Sequence, residues 1–125
     1  VKMILDISPE CLLIPAHAWT PWFSVFGANS GFQSLEECYE EETRNIRAIE
    51  TGLSSDPEMN WRLSALDDIT LISNSDAHSP GNLGREANLF DTELTYRGVL
   101  DALRTGIGFA ACPVTAFCAM CWPTR

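Results

Sequence analysis

The chain is poor in histidine and in positive charge. Only His17 and His78 are histidines, and 8 Lys or Arg residues stand against 17 Asp or Glu, which gives a net charge of −9. So few cations disfavour nonspecific binding of nucleic acid, because phosphate neutralisation needs Lys and Arg. Bound divalent cations would offset part of the negative charge locally. No apolar stretch is long enough to span a bilayer, and a hydrophobic content of 46% is typical of a globular domain.

Cysteine occurs in an odd number and without a secretory signal. The five thiols are Cys11, Cys38, Cys112, Cys118 and Cys121. The apolar part of the N-terminus is too short for a signal peptide, and the pattern favours reduced thiols in a cytoplasmic protein. The chain begins with Val1 and not with Met, so we expect further residues to precede it.

Three runs of strand length each end in a polar donor or are followed by one. The runs are 11–14, 46–50 and 69–73, and the donors are His17, Glu50, Asp76 and His78. Helical patterns separate the runs, which predicts an α/β fold with parallel strands and crossover helices. Chemistry collects at the carboxyl ends of such strands.

Asp76 and His78 lie two residues apart, so they would face one pocket if the strand continued through them. A carboxylate and an imidazole held together suit a metal ion. The alternative is a turn in which Asp76 bonds its own backbone and Ser79, Pro80 and Gly81 reverse the chain.

Helix boundaries are predicted from capping residues. Ser34 and Glu37 form a capping box, and Asp56 precedes a Pro at the first helical position. An amphipathic pattern over 96–103 predicts a further helix, with Gly106 as its C-terminal cap. Residues 79–93, rich in Gly and Asn, add no element to this order. The helix after Asp56 is expected to bury Trp61, Leu63 and Leu66.

Residues 18–33 form an aromatic loop without a clean period. Its aromatic side chains are Trp19, Trp22, Phe23, Phe26 and Phe32. Two interpretations stay open: a hydrophobic plug over the end of a barrel, or the wall of a binding pocket.

Taken together, these segments resemble the PHP (polymerase and histidinol phosphatase) superfamily. Residues 14–17, 48–55 and 73–78 resemble its last three barrel strands, and residues 17–24 and 82–88 resemble the endonuclease Q family within it. The resemblance implies the C-terminal portion of a (β/α)7 barrel, with about three parallel strands in residues 1–109. It implies a metal-dependent hydrolase of phosphoester bonds. For endonuclease Q it implies a DNA repair enzyme that nicks DNA 5′ of deaminated bases such as uracil and hypoxanthine.

The resemblance also implies roles for individual residues. His17, Asp76 and His78 would bind metal ions, zinc first and manganese or magnesium otherwise, with Asp76 and His78 central to catalysis. Glu50 would contact a ligand residue or the substrate. Trp19, Trp22 and Arg85 would contact DNA by stacking or phosphate pairing. The alternative for these last three is packing at the barrel end and a surface ion pair.

Some expected features of the family are missing from the sequence. The opening His-x-His and the next His and Glu ligands are absent, so we expect a fragment that is inactive alone. Residues 110–125 match nothing in the family and suggest a truncated or out-of-frame end. Cys112, Cys118 and Cys121 could form a zinc half-site, since Cys118 and Cys121 have ligand spacing, but the tail has no fourth ligand. The alternatives are a non-catalytic remnant and a PHP phosphatase acting on a small phosphate ester.

Overall fold

Two short parallel strands form the centre of the fold. β1 (Ala48–Glu50) and β2 (Thr70–Ile72) pair in parallel, with Ile49 opposite Leu71. Every residue of both strands is buried, as expected for a parallel sheet that is covered on both faces. The structure is a computed structural model and describes residues 1–29, 31–113 and 122–123.

The first apolar run does not become a third strand. Leu13 forms an isolated parallel bridge with Ile46, and Glu50 donates its backbone N–H to the Pro15 carbonyl at 2.9 Å. The segment therefore runs beside β1, but Pro15 has no N–H to donate and the ladder cannot continue. The expectation of about three parallel strands is wrong for the described residues, in which the parallel part consists of two strands and one isolated bridge.

The helices begin and end largely where capping residues predict. The Ser34 hydroxyl accepts a bond from the Glu37 N–H at 3.2 Å, and the Asp56 carboxylate accepts from the Met59 N–H at 2.8 Å. Gly106 ends the last helix in the left-handed conformation, with φ 71°. The helices are α1 (Lys2–Ile7), α2 (Leu35–Tyr39), α3 (Pro57–Asn60) and α4 (Tyr96–Thr105). Short 3-10 turns span Glu40–Asn45, Ser64–Leu66 and Pro80–Asn82.

The core lies on both sides of the parallel pair. One cluster comprises Ala18, Val25, Leu35, Ile46, Ile49, Leu66 and Leu71, and the other comprises Ile72, Ala102 and Leu103, where α4 meets β2. The predicted burial of Trp61 and Leu63 is wrong, since they are 46% and 38% exposed. Because α3 ends at Asn60, the chain turns away from the core before Leu66 re-enters it.

An antiparallel sheet follows the parallel pair and was not predicted. β3 (Glu86–Phe90) pairs with β4 (Phe109–Pro113), and β4 pairs with β5 (Trp122–Pro123). The predicted tail at 110–125 thus contributes backbone to this sheet, whereas Cys118 and Cys121 lie outside the described residues. None of the helices in the described ranges has the length and apolar character that a membrane crossing requires.

Candidate functional site

The Glu50 carboxylate connects the three segments that carry the predicted site residues. Its Oε1 accepts bonds from the backbone N–H groups of Gly52 at 3.0 Å and Asn74 at 3.3 Å. Its Oε2 accepts a bond from the backbone N–H of His17. Glu50 is only 4% exposed, and a buried carboxylate is stable when several N–H groups solvate it. One side chain therefore fixes the loops after β1, after β2 and before the aromatic loop.

Gly52 allows the His17 loop to approach closely. A Cβ added at Gly52 would lie 3.0 Å from the His17 Cα and 3.1 Å from its Cβ, and the Gly52 φ is +64°. Both the space and the conformation favour glycine. Main-chain bonds also hold the neighbouring segments together. Ala18 donates to the Glu50 carbonyl at 2.8 Å, and Thr51 donates to the Ile72 carbonyl at 2.9 Å.

His17 and Asp76 both have left-handed backbones. Their φ angles are 34° and 45°, values that non-glycine residues rarely adopt and that cost about 1–3 kcal/mol. Surrounding bonds enforce these conformations, among them the bond from His17 to Glu50 and the bond from Arg85 to Ser75 beside Asp76. Strain of this kind concentrates at functional sites.

Asp76 and His78 form an exposed pair. The His78 Nδ1 lies 2.8 Å from the Asp76 carbonyl and 3.9 Å from the Asp76 carboxylate. The His78 side chain is 84% exposed and the Asp76 side chain is 46% exposed. A carbonyl only accepts hydrogen bonds, so Nδ1 carries the proton. When the ring is neutral, Nε2 carries the lone pair that a metal ligand requires.

The fit of these donors to a metal is partial. The His17 Nδ1 is buried and has no hydrogen-bond partner among the residues that the structure describes, and such a nitrogen suits a ligand or a partner outside them. Across residues 1–29, 31–113 and 122–123, however, no group of three or more His, Cys, Asp or Glu side chains could hold a metal ion. Individual donors fit, but these residues do not complete a metal site.

Side chains in β3 and directly before it brace the loop after β2. The Asn88 amide accepts from the Ser73 N–H at 2.9 Å and donates to the Asn74 side chain at 2.8 Å. Arg85 donates from Nε to the Ser75 carbonyl at 2.8 Å. Sequence reasoning missed the role of Asn88, although the residue lies in the stretch that carries the family resemblance.

Two carboxyl groups, those of Glu50 and Glu86, interact electrostatically at this end of the sheet. Burial raises the pKa of Glu86, and the negative charge of Glu50 raises it further, while Arg85 partly opposes both effects. The Glu86 carboxyl is therefore harder to ionise than a fully solvated one.

Some side chains of the aromatic loop pack against the core, and others line a cavity. Trp19 donates its indole N–H to the Asn60 Oδ1 at 2.8 Å and stacks on Phe26 with 4.7 Å between ring centroids. Trp19 thus packs against the core, and its predicted contact with DNA stays a prediction. Trp22 and Phe23 are 61% and 94% exposed.

A cavity of about 490 Å³ lies beside His17. Its lining includes His17, Trp22, Phe23, Phe32 and Tyr39. Burial, followed by the effect of Cys38, raises the pKa of Tyr39 to about 12, so this phenol stays protonated at neutral pH. The cavity therefore has aromatic walls and a histidine at its edge.

The chain is similar to two known protein sequences and to one solved structure. No family profile matches the chain. It is 43% identical over 77 residues to the uncharacterised protein YqxK of Bacillus subtilis, a match that covers 62% of the chain and 19% of that protein. It is 37% identical over 87 residues to the uncharacterised protein MJ0043 of Methanocaldococcus jannaschii, covering 68% of the chain and 10% of that protein. The chain thus spans a small part of both relatives.

The third finding is a solved structure. The chain superposes with a TM-score of 0.69 and 35% identity on a crystal structure of endonuclease Q in complex with a 27-mer duplex substrate that has an abasic lesion at the active site. This chain resembles part of endonuclease Q. The match covers 86% of the chain and 27% of the endonuclease Q chain. The predicted resemblance to endonuclease Q is confirmed, as is a mixed α/β fold with parallel strands.

Proposed function

We propose that residues 1–109 are part of the PHP domain of a DNA repair endonuclease that nicks DNA 5′ of deaminated bases, with residues 110–125 beyond that domain. The observation that carries the proposal is the Glu50 carboxylate, which joins the segments of His17, Gly52 and Asn74 at one end of the parallel strands. The likeness to endonuclease Q, whose crystal structure holds a DNA duplex, supports the same conclusion.

The chain would contribute donors and their supports to a metal centre. His17, Asp76 and His78 would hold metal ions, zinc or alternatively manganese or magnesium, together with donors outside the described residues. A metal held there would supply Lewis-acid activation of a water and would offset negative charge on a phosphate. Glu50 fixes the backbone that aims His17, and the Asp76 carbonyl fixes the tautomer of His78.

The aromatic cavity would accommodate a base outside the helical stack. Trp22 and Phe23 present exposed rings beside His17, and unstacked bases gain about 1–3 kcal/mol each from aromatic stacking. Enzymes that act on a damaged base commonly take it out of the duplex.

The free thiols Cys11 and Cys38 fit a reducing, cytoplasmic setting.

A chimera tests this proposal. The segment of endonuclease Q that matches this chain is replaced by residues 1–109, and nicking of a labelled duplex with one uracil or hypoxanthine is measured. We expect cleavage 5′ of the base, and a loss of about a hundredfold or more for Asp76→Ala, since removing one stabilising charge has effects of that size. Asp68→Ala, which removes an exposed carboxylate elsewhere, should leave the rate unchanged.

The other outcomes are equally informative once circular dichroism shows that each chimera is folded. Wild-type nicking by the Asp76→Ala chimera would refute the metal assignment. A folded but inactive chimera would indicate the non-catalytic remnant. Hydrolysis of p-nitrophenyl phosphate without DNA nicking would indicate the small-ester phosphatase.

A further inference from the structure

A second cavity, of about 400 Å³, is lined by arginines. Arg44, Arg47 and Arg104 border it together with Asn45, and Leu5 and Leu12 contribute apolar surface. The function proposed above uses none of these residues.

This arginine cavity lies at the opposite end of the parallel strands from Glu50. Arg47 directly precedes β1, and its carbonyl accepts the Thr70 N–H at the start of β2, at 2.9 Å. Glu50 is the last residue of β1, so about 10 Å of extended chain separates it from Arg47. The arginines therefore form a site of their own.

The charge balance of the cavity is unusual for this chain. The net charge of the protein is −9, yet among the described residues that line the cavity none is a carboxylate. None of the three arginine side chains bonds to a described residue. By contrast, Arg97 pairs with Glu10 at 3.1 Å and with Asp101 at 3.2 Å. Glu42 is the acceptor for Asn45, at 2.8 Å, and does not line the cavity.

We propose that the arginine cavity binds a phosphate-type oxyanion. A guanidinium offers two parallel N–H groups that match two oxygens of a phosphate, and three guanidiniums can surround its tetrahedral oxygens. Leu5 and Leu12 are half-buried and add apolar surface beside the guanidiniums, of which Arg44 and Arg47 are exposed and Arg104 is half-buried. The phosphate is either a free anion or part of a nucleic acid backbone.

Calorimetry on the 125-residue chain tests the site. Inorganic phosphate and tripolyphosphate are titrated at low salt with EDTA present, so that metal-bound phosphate does not contribute. We expect Arg47→Gln and Arg104→Gln each to weaken binding by about tenfold, as for a lost bond to a charged group. Arg62→Gln removes the same charge from an exposed arginine outside the cavity and should change binding less than about twofold. Thermal melts confirm that each variant folds.

Binding of a fluorescent undamaged duplex in EDTA distinguishes the two sources. If the ligand is a DNA backbone, Arg47→Gln weakens duplex binding and lowers the slope of log K against log salt by about one. If the ligand is a free anion, only the phosphate titrations respond. Three results would overturn the proposal: no binding of either ligand by the wild type, an equal loss in Arg62→Gln, or equally tight binding of poly-glutamate, which carries carboxylates only.

Discussion

Replacing Glu50 with Gln tests whether one carboxylate holds the site together. The change keeps the size and shape of the side chain but leaves one acceptor oxygen and introduces an NH2 group. The carboxylate currently accepts three backbone N–H bonds, one at Oε2 and two at Oε1. Whichever way the new amide is oriented, its NH2 group faces at least one backbone N–H, and that donor loses its acceptor.

The expected loss of stability follows from these bonds. A buried donor without an acceptor costs about 1–3 kcal/mol, and the remaining bonds lose the roughly twofold advantage of a charged acceptor. Removing the charge also relieves its repulsion of Glu86, and this offsets the loss by a few tenths of a kcal/mol because Glu86 is half-buried and partly screened by solvent. The net loss is about 2–3 kcal/mol, a large part of the 5–15 kcal/mol that is usual for a domain.

Urea unfolding measures this loss, and amide exchange locates it. We expect the midpoint for Glu50→Gln to fall by about 1–2 M, and the amide protons of His17, Gly52 and Asn74 to exchange faster. Glu41→Gln is the matched control, because Glu41 is exposed and should change stability by less than about 0.5 kcal/mol. If both variants unfold at the same midpoint and the three amides stay protected, Glu50 does not hold the site.

Two further substitutions test local claims. Trp19→Phe removes the indole donor and leaves the Oδ1 of Asn60, a residue that is 0% exposed, without that bond. We expect the free energy of unfolding in urea to fall by about 1–2 kcal/mol. The control Trp61→Phe changes a side chain that is 46% exposed and should have little effect. Glu86→Gln should stabilise the protein by a few tenths of a kcal/mol at pH 7. Burial and Glu50 raise the pKa of Glu86, so the stability of the wild type falls as pH rises through that pKa. The gain in stability of Glu86→Gln over the wild type should therefore vanish near pH 4. A gain that persists at pH 4 would contradict this reasoning.

Local rules predicted the helix ends and the parallel pair. Asp56 and Ser34 cap the first turns of their helices as their sequence positions indicate, and Gly106 ends α4. These features depend on residues within one turn of each other. The two apolar runs that became β1 and β2 are buried on both faces, and continuous apolar sequence is the signal of such strands.

Features that depend on distant residues were not predictable in the same way. In β3, Leu89 and Phe90 are 54% and 38% exposed, so the strand has no alternation of burial and is defined by its pairing with β4. Glu50 was recognised as an acidic residue at a strand end. Its bonds to His17 and Asn74 join residues 33 and 24 positions away, and no local pattern encodes that convergence. The assignment of His17, Asp76 and His78 to metal stays a prediction.

The left-handed backbones at His17 and Asp76 have a consequence for variation at these positions. Glycine would adopt φ angles of 34° and 45° without the Cβ conflict, and would relax the backbone by about 1–2 kcal/mol at each position. The same exchange would delete the imidazole or the carboxylate. Selection for the amount of folded protein and selection for the chemistry of the side chain therefore act in opposite directions at these two residues.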